Sequence, residues 1–371
     1  MRDTPQELLV GTPGRYAREV FHDRHPTLIE RVAAAHPYGE AQRSALRALL
    51  EESLTGEVRG LPGDAPDWAD WDAWDRGYFG RPWADAPFLW AESYFYRRIL
   101  DAVDYFRAGP WQGVDPFAPM KAAELADPDL DRDFAWVADL PAAPTADGFA
   151  TVVRAAVFGN RADISFRLQQ PAGPGDAAAP DELLSDDTDA LAAALRSPGP
   201  VCVVADNGGR EIMADLVLAN WLLDTGRADR VTLHVKPMPY YVSDAAASDV
   251  DDACARLGRP LDSRIAVRAH WFWCAPLDFR AMPADLGDDL RGHRVVVVKG
   301  DLNYRRLVGD RDWEPTTPFA AAAADLGVPV VALRTCKSEV VVGLDGATVA
   351  RLDAAEPRWR VSGRHGLVQA R

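Results

Sequence analysis

The chain has 371 residues, 48% hydrophobic and 26% charged, enough apolar material to bury a sizeable core in one large domain or two. Its 56 acidic residues outnumber 41 basic ones, and the net charge of −15 argues against phosphate backbones or anionic lipid as partners, so neither nucleic acid nor a membrane is expected. No apolar run approaches the roughly 18 residues that cross a bilayer, the opening MRDTPQELLVGTPGRYAREV has no signal-peptide core, and Cys202, Cys254, Cys274 and Cys336 lack zinc-binding spacing, which together suit a reduced, cytoplasmic protein.

The first 140 residues read as helical and irregular. DRHPTLIERVAAAHP and EAQRSALRALLEESL repeat apolar positions at three and four residues, the spacing of amphipathic helices. A Gly/Pro/Asp-rich connection, TGEVRGLPGDAPD, leads into DWADWDAWDRGYFGRPWADAPFLW, which holds five of the twelve tryptophans and so reads as an aromatic core between helices rather than a binding platform. AESYFYRRILDAVDYF continues it with helical spacing. Glu92 and Arg97 fall inside this aromatic helix, where a charge is costly to bury unless paired, and a helical cap over an active site would account for them.

From about residue 147 the pattern changes. GFATVVRAAVF is expected to be a helix ending at Gly159, followed by a loop whose Asn160 and Asp163 are turn formers or site residues. PAGPGDAAAPDE is a loose connection, and LLSDDTDALAAALRS reads as the start of a helix. Strands and helices then alternate: VCVVA (201–205), VTLHVK (231–236), VVVVK (295–299), VPVVALR (328–334) and VVVGL (340–344) are expected strands, with the helix EIMADLVLANWLLDTG after the first. Continuous Val/Ile/Leu runs separated by helices imply a buried, largely parallel sheet covered on both faces, with ligands at the carboxyl ends of its strands.

Polar residues collect at those ends. Asp206 and Asn207 leave the first strand beside two glycines, Asp244 ends the loop after the second, GDLNYRR follows the third, and RTCKSE the fourth. Asp206, Asn207 and Asp244 make an all-oxygen set that suits a hard divalent cation such as Mg²⁺ or Mn²⁺, although a turn with a helix cap accounts for each loop alone. Only four of the basic residues are lysines, and Lys236, Lys299 and Lys337 sit at or just beyond strand ends. Lys299 and Lys337 with Arg305 and Arg334 put positive charge on the same rim, which describes a phosphate site beside the metal or, more simply, ion pairs to Asp206, Asp244 and Asp301. No P-loop, nucleophile elbow or HExxH is present, and DNGGRE lacks the GxG spacing of a Rossmann methyltransferase.

DNGGREIMADLVLANWLL, KPMPYYVSD, KGDLNYRRLVGDRDW and RTCKSEVVVGL, with FGNRADIS and WADAPFLWAESYFYRRI upstream, together resemble the damage-control phosphatase family in its RTxK-motif subfamily, from about residue 22 to 345. That subfamily includes the proteins called acidic residue methyltransferases. The resemblance implies an α/β fold: a helical N-terminal domain (1–146) packed on a three-layer α/β/α Rossmann-like catalytic domain (147–371) with a largely parallel sheet. It implies a metal-dependent phosphatase acting on sugar phosphates of the fructose 1-phosphate or fructose 6-phosphate type, with Mn, Ni, Co or Mg held by Asp206, Asn207 and Asp244. Asp206, Asn207 and Lys337 would be catalytic, and substrate would meet Asp301, Leu302, Asn303, Tyr304, Arg305, Arg334, Lys337 and Asn160, with Glu92 and Arg97 closing the pocket. Glu211 would orient the metal-binding residues, and Arg210 departs from the family's apolar or aromatic residue. The nucleophile is a water or Asp206, and a protein partner is unassigned. Two alternatives stay open: a protein-glutamate O-methyltransferase using S-adenosylmethionine, and a non-catalytic sugar-phosphate binder.

Overall fold

In a computed structural model that describes residues 4–141, 143–159 and 182–371, the chain enters through a short helical turn, Tyr16–Glu19, which widens into a π-turn, Val20–Arg24. Helices α1 (His25–Ala35), α2 (Glu40–Thr55), α3 (Phe88–Ala102), α4 (Ala118–Leu125) and α5 (Ala146–Phe158) follow. Then come β1 (Glu182–Asp186), α6 (Thr188–Ala194), β2 (Pro200–Val204), α7 (Gly209–Asp224), β3 (Arg230–Val235), α8 (Ala247–Leu257) and β4 (Ile265–Ala269). The chain closes with α9 (Ala284–Arg291), β5 (Val295–Lys299), α10 (Gly300–Val308), β6 (Val330–Thr335), α11 (Gly346–Ala355) and β7 (His365–Ala370).

The strands form one sheet in the order β1-β7-β6-β5-β2-β3-β4. β2 to β6 run parallel, and β7, with β1 parallel to it, runs the other way. Side chains alternate across each strand, so Cys202, Val204, Val296 and Val298 join the aromatic core of the N-terminal helices. Val201, Val203, Val295 and Val297 face the opposite way, into a second core with α5, α7 and α8. β2 and the first four residues of β5 are therefore apolar at every position, as a sheet covered on both faces requires. From β2 the chain steps outward through β3 and β4, then returns to lay β5 on the other side of β2. The chain thus diverges between the carboxyl ends of β2 and β5, which opens a crevice there.

Two sequence expectations fail on their elements. VVVGL is not a strand: Val340, Val341 and Val342 are buried as irregular chain, where the Val340 carbonyl accepts from Arg334 (2.6 Å) and that of Val342 from Gln369 (2.7 Å). The last strand is instead β7, antiparallel to β6 and disguised by the polar His365 and Gln369, both buried. Likewise residues 183–186 belong to β1, and α6 begins only at Thr188. Among the described residues no helix is long and apolar enough to cross a membrane.

The tryptophan-rich stretch is core, as its composition suggested: Trp71, Trp83 and Trp90 are buried around Tyr94, and Phe95 stacks on the buried ring of His25 (3.8 Å). Arg97 belongs to this core and not to the crevice. It lies five residues beyond Glu92 on α3, roughly 140° round the helix, and its guanidinium grips Asp67 through two bonds (2.7 and 2.6 Å) while stacking on Phe106. Removing Asp67 would leave this cation buried without its carboxylate. Asp67→Ala is therefore expected to cost about 3–5 kcal/mol in urea denaturation, and a loss well under 1 kcal/mol would show the pair to be dispensable.

Candidate functional site

The crevice is walled by two strand exits that pair with each other. The Ala245 amide donates to the Asp206 carbonyl (2.9 Å), the Gly208 amide to the Ser243 carbonyl (2.7 Å), and Asn207 and Asp244 form an isolated antiparallel bridge. The backbone alone thus sets Asp206, Asn207 and Asp244 side by side, all three buried. The third wall is the start of α10 after β5. Gly300 has a φ of +79°, and a Cβ built there would lie 1.8 Å from Asp206 Oδ2, so only glycine lets the two strand ends approach this closely.

Side chains then fix the orientation of each oxygen. The Tyr241 amide donates to Asp244 Oδ2 (3.1 Å). Ser243 donates its hydroxyl to Asn207 Oδ1 (2.8 Å), while Asn207 Nδ2 donates to Glu211 Oε2 (2.9 Å). The amide can point in one sense only, nitrogen toward α7 and oxygen toward Ser243. Glu211 is held in turn by Lys299 Nζ (3.0 Å), which also meets Asp215 (2.8 Å) and the Ala156 carbonyl (2.6 Å). Lys236 stands between the two carboxylates, its Nζ 3.9 Å from Asp206 Oδ1 and 3.8 Å from Asp244 Oδ2.

These walls enclose a cavity of about 50 Å³. Asp206, Asn207, Ser243 and Asp244 form one side, with Asp301, Leu302, Arg305 and Lys337 from the other strand ends, and Glu92, Tyr241, Tyr16 and Arg24 complete it. Asp301 Oδ1 accepts from the Lys337 amide (3.1 Å) and the Ser338 hydroxyl (3.2 Å) and pairs with Arg334 (2.7 Å). Arg305 joins Glu92 (3.0 Å) and Asp310 (2.8 Å). Burial pushes the Glu92 carboxyl above the usual range against the pull of Arg305.

Several expected residues stand behind the cavity rather than on it. Lys299 is fully buried in its ion cluster, so it does not contribute charge to the rim. Arg334 steadies Asp301, Asn303 donates to the carbonyls of Ala205 and Lys299 (3.0 Å each), and Tyr304 donates its hydroxyl to Gln369 (2.8 Å). In DLNYR the first two residues and the last line the cavity, and α10 carries Asn303 and Tyr304 to its other sides. Asn160, with Asp163, lies outside the described residues. Arg210 binds Asp127 (2.7 Å) and Asp133 on the far side of α7, so this departure does not reach the cavity lining. The sequence reading missed Tyr16, Arg24, Tyr241 and Ser243; Ser243 adjoins Asp244, but Tyr16 and Arg24 carried no local signal.

The donor set can be tested against a divalent metal. Among the described residues no group of three or more His, Cys, Asp or Glu side chains could hold one, so a metal here needs the Asn207 amide oxygen beside the two carboxylates. An all-oxygen set with one neutral ligand fits a hard cation that keeps some of its water.

A family model described as the damage-control phosphatase ARMT1-like domain matches residues 18–352. Proteins named damage-control phosphatase ARMT1 are similar along the chain. That of Danio rerio is 27% identical over 98% of this chain and 96% of its own length. That of Rattus norvegicus is 28% identical over 100% and 99%, and that of Homo sapiens 29% identical over 77% and 75%. A crystal structure of a DUF89 family protein from Pyrococcus horikoshii superposes with a TM-score of 0.52, covering 95% of this chain and 97% of its own at 14% identity, a likeness of fold.

One ammonium cannot neutralise two buried carboxylates, and the cluster under Asn207 shows the result. Burial and Glu211 push Asp215 up to about 7, against Lys299. Burial works against the Lys299 charge, yet Asp215 and Glu211 hold its ammonium above the ordinary range. Asp215 binds its proton more tightly folded than unfolded, so its contribution is complete below the unfolded value near ~3.9 and is lost as pH rises through about 7. In urea denaturation the stability of wild type relative to Asp215→Asn should fall between pH ~4 and about 7 and then level off. A pH-independent difference would contradict this proton count.

Proposed function

The chain belongs to the ARMT1-like damage-control phosphatase domain family, and from that membership and the charge of its cavity we propose that it is a phosphatase that hydrolyses sugar phosphates of the fructose 1-phosphate or fructose 6-phosphate type with a divalent metal, Mn, Ni, Co or Mg. The observation that carries the reading is that unlike groups line one small cavity. Asp206, Asn207 and Asp244 share its lining with Lys337 and Arg24, at the switch point of the sheet. A carboxylate pair alone would repel a phosphate, and cations alone would give no reason to bury the carboxylates.

On this reading Asp206, Asn207 and Asp244 hold the metal, which when bound supplies a Lewis acid for the phosphoryl oxygens and their developing charge. Lys337 and Arg24 bind the remaining phosphoryl oxygens, since phosphoryl transfer needs chiefly positioning and charge neutralisation. Asp301 accepts from the Lys337 amide and so fixes the lysine's loop. A water in the cavity, or Asp206 itself in a two-step route, attacks phosphorus as the P–O bond to the sugar breaks. The departing alkoxide takes up a proton released by the attacking water, and Glu92, paired with Arg305, lines the cavity beside it. The products are inorganic phosphate and the free sugar.

Phosphate release from a panel of sugar phosphates, with each metal and with chelator, tests the reading. Release should require metal and fall about a hundredfold or more in Asp206→Ala and in Lys337→Ala. No release with any metal across the panel would sink it, and methyl transfer from S-adenosylmethionine under the same conditions would replace it.

A further inference from the structure

Tyr16 lines two cavities at once. One is the cavity of Asp206, Asp244 and Lys337, about 50 Å³. The other is a polar vestibule of about 440 Å³ bounded by Arg15, Glu19, Asp312, Glu339 and Arg358. On the same measure the vestibule is several times larger than the first cavity, and its charged lining suits a hydroxyl-rich alcohol. The Tyr16 ring is buried, set edge-on against Phe88.

The local backbone explains how one short segment reaches both. In an unbroken α-helix, residues eight apart lie roughly 80° apart round the axis. The π-turn Val20–Arg24 turns less per residue and brings Tyr16 and Arg24 back toward one face, the face that lines the catalytic cavity. The segment is tied outward by Arg15 to Asp312 (2.6 Å) and Glu339 (3.5 Å), and by Glu19 to Arg358 (2.7 and 2.8 Å). Inward, Ala17, Val20 and Phe21 anchor it in the aromatic core, so the ring of Tyr16 is held at a fixed place.

We infer that Tyr16 determines specificity: its ring closes the wall between cavity and vestibule, and the alcohol portion of an accepted phosphate monoester is limited by the bulk of that ring. The inference rests on the phosphatase reading for its substrate class, so its test has a second readout that needs no turnover.

The kcat/KM values of wild type, Tyr16→Ala, Tyr16→Leu and Tyr16→Phe would be compared for glycerol 3-phosphate, fructose 6-phosphate and trehalose 6-phosphate. The ratio of the largest to the smallest should rise about tenfold or more in the Ala and Leu variants and stay unchanged in Phe; Leu carries the result if Ala fails to fold. Calorimetric affinities for inorganic phosphate and phenylphosphonate should shift in favour of the bulkier ligand in the same two variants. Equal ratios in all four proteins would overturn the inference. A binding shift without any turnover would sink the phosphatase reading and leave the role of Tyr16 standing, and binding of neither ligand would overturn both.

Discussion

Two carboxylates, Asp206 and Asp244, are buried side by side because the backbone pairing of two strand exits leaves them nowhere else to go. Like charges brought together out of water are costly, and the surrounding structure can be read as the answer to that cost. Lys236 stands between them, its ammonium 3.9 and 3.8 Å from the two. A divalent cation bound beside them would relieve their repulsion further.

Behind this pair the molecule is layered by rigidity. Asn207 supplies a neutral oxygen whose direction is set by Glu211, and Glu211 is in turn set by Lys299, which also binds a carbonyl of α5. This buried chain connects the loop of Asp206 and Asn207 to the helical layer covering one sheet face, with no exposed member that could reorient freely. On the other face, Glu92 of α3 reaches the cavity through its pair with Arg305 of α10, which ties the N-terminal helices to the β5 exit. The outermost wall, Tyr16 to Arg24, is fastened partly by exposed pairs. Its inner side chains Ala17, Val20 and Phe21 are core, so the donors and the wall alike keep the charged groups oriented.

Much of this was legible in the sequence where one physical cause dominated. The valine runs of β2, β5 and β6 can only be strands covered on both faces, and the carboxyl-end rule then places Asp206, Asn207, Asp244, Asp301 and Lys337 together. It failed where pattern and burial part company. VVVGL is apolar because it is buried, but its carbonyls serve Arg334 and Gln369 instead of a neighbouring strand. Charge at a strand end likewise did not distinguish Lys337, on the cavity, from Lys299, one layer behind it. Glu92 and Arg97 looked equivalent in a single aromatic helix, and only the helix rotation sends one to the cavity and the other to Asp67. Tyr16 and Arg24 depend on a π-turn that no residue pattern announces.

The central question is whether these oxygens hold a divalent cation through the orientation that Glu211 imposes. Titration of Mn²⁺ into wild type and Glu211→Gln, followed by the paramagnetic signal of the free ion, tests it most directly. Wild type should show a saturable site, and the affinity should be lower by about 10- to 100-fold in Glu211→Gln, whose side chain keeps its shape but loses the charge that grips Lys299 and fixes the Asn207 amide. Equal affinities, or no saturable binding in wild type, would contradict it.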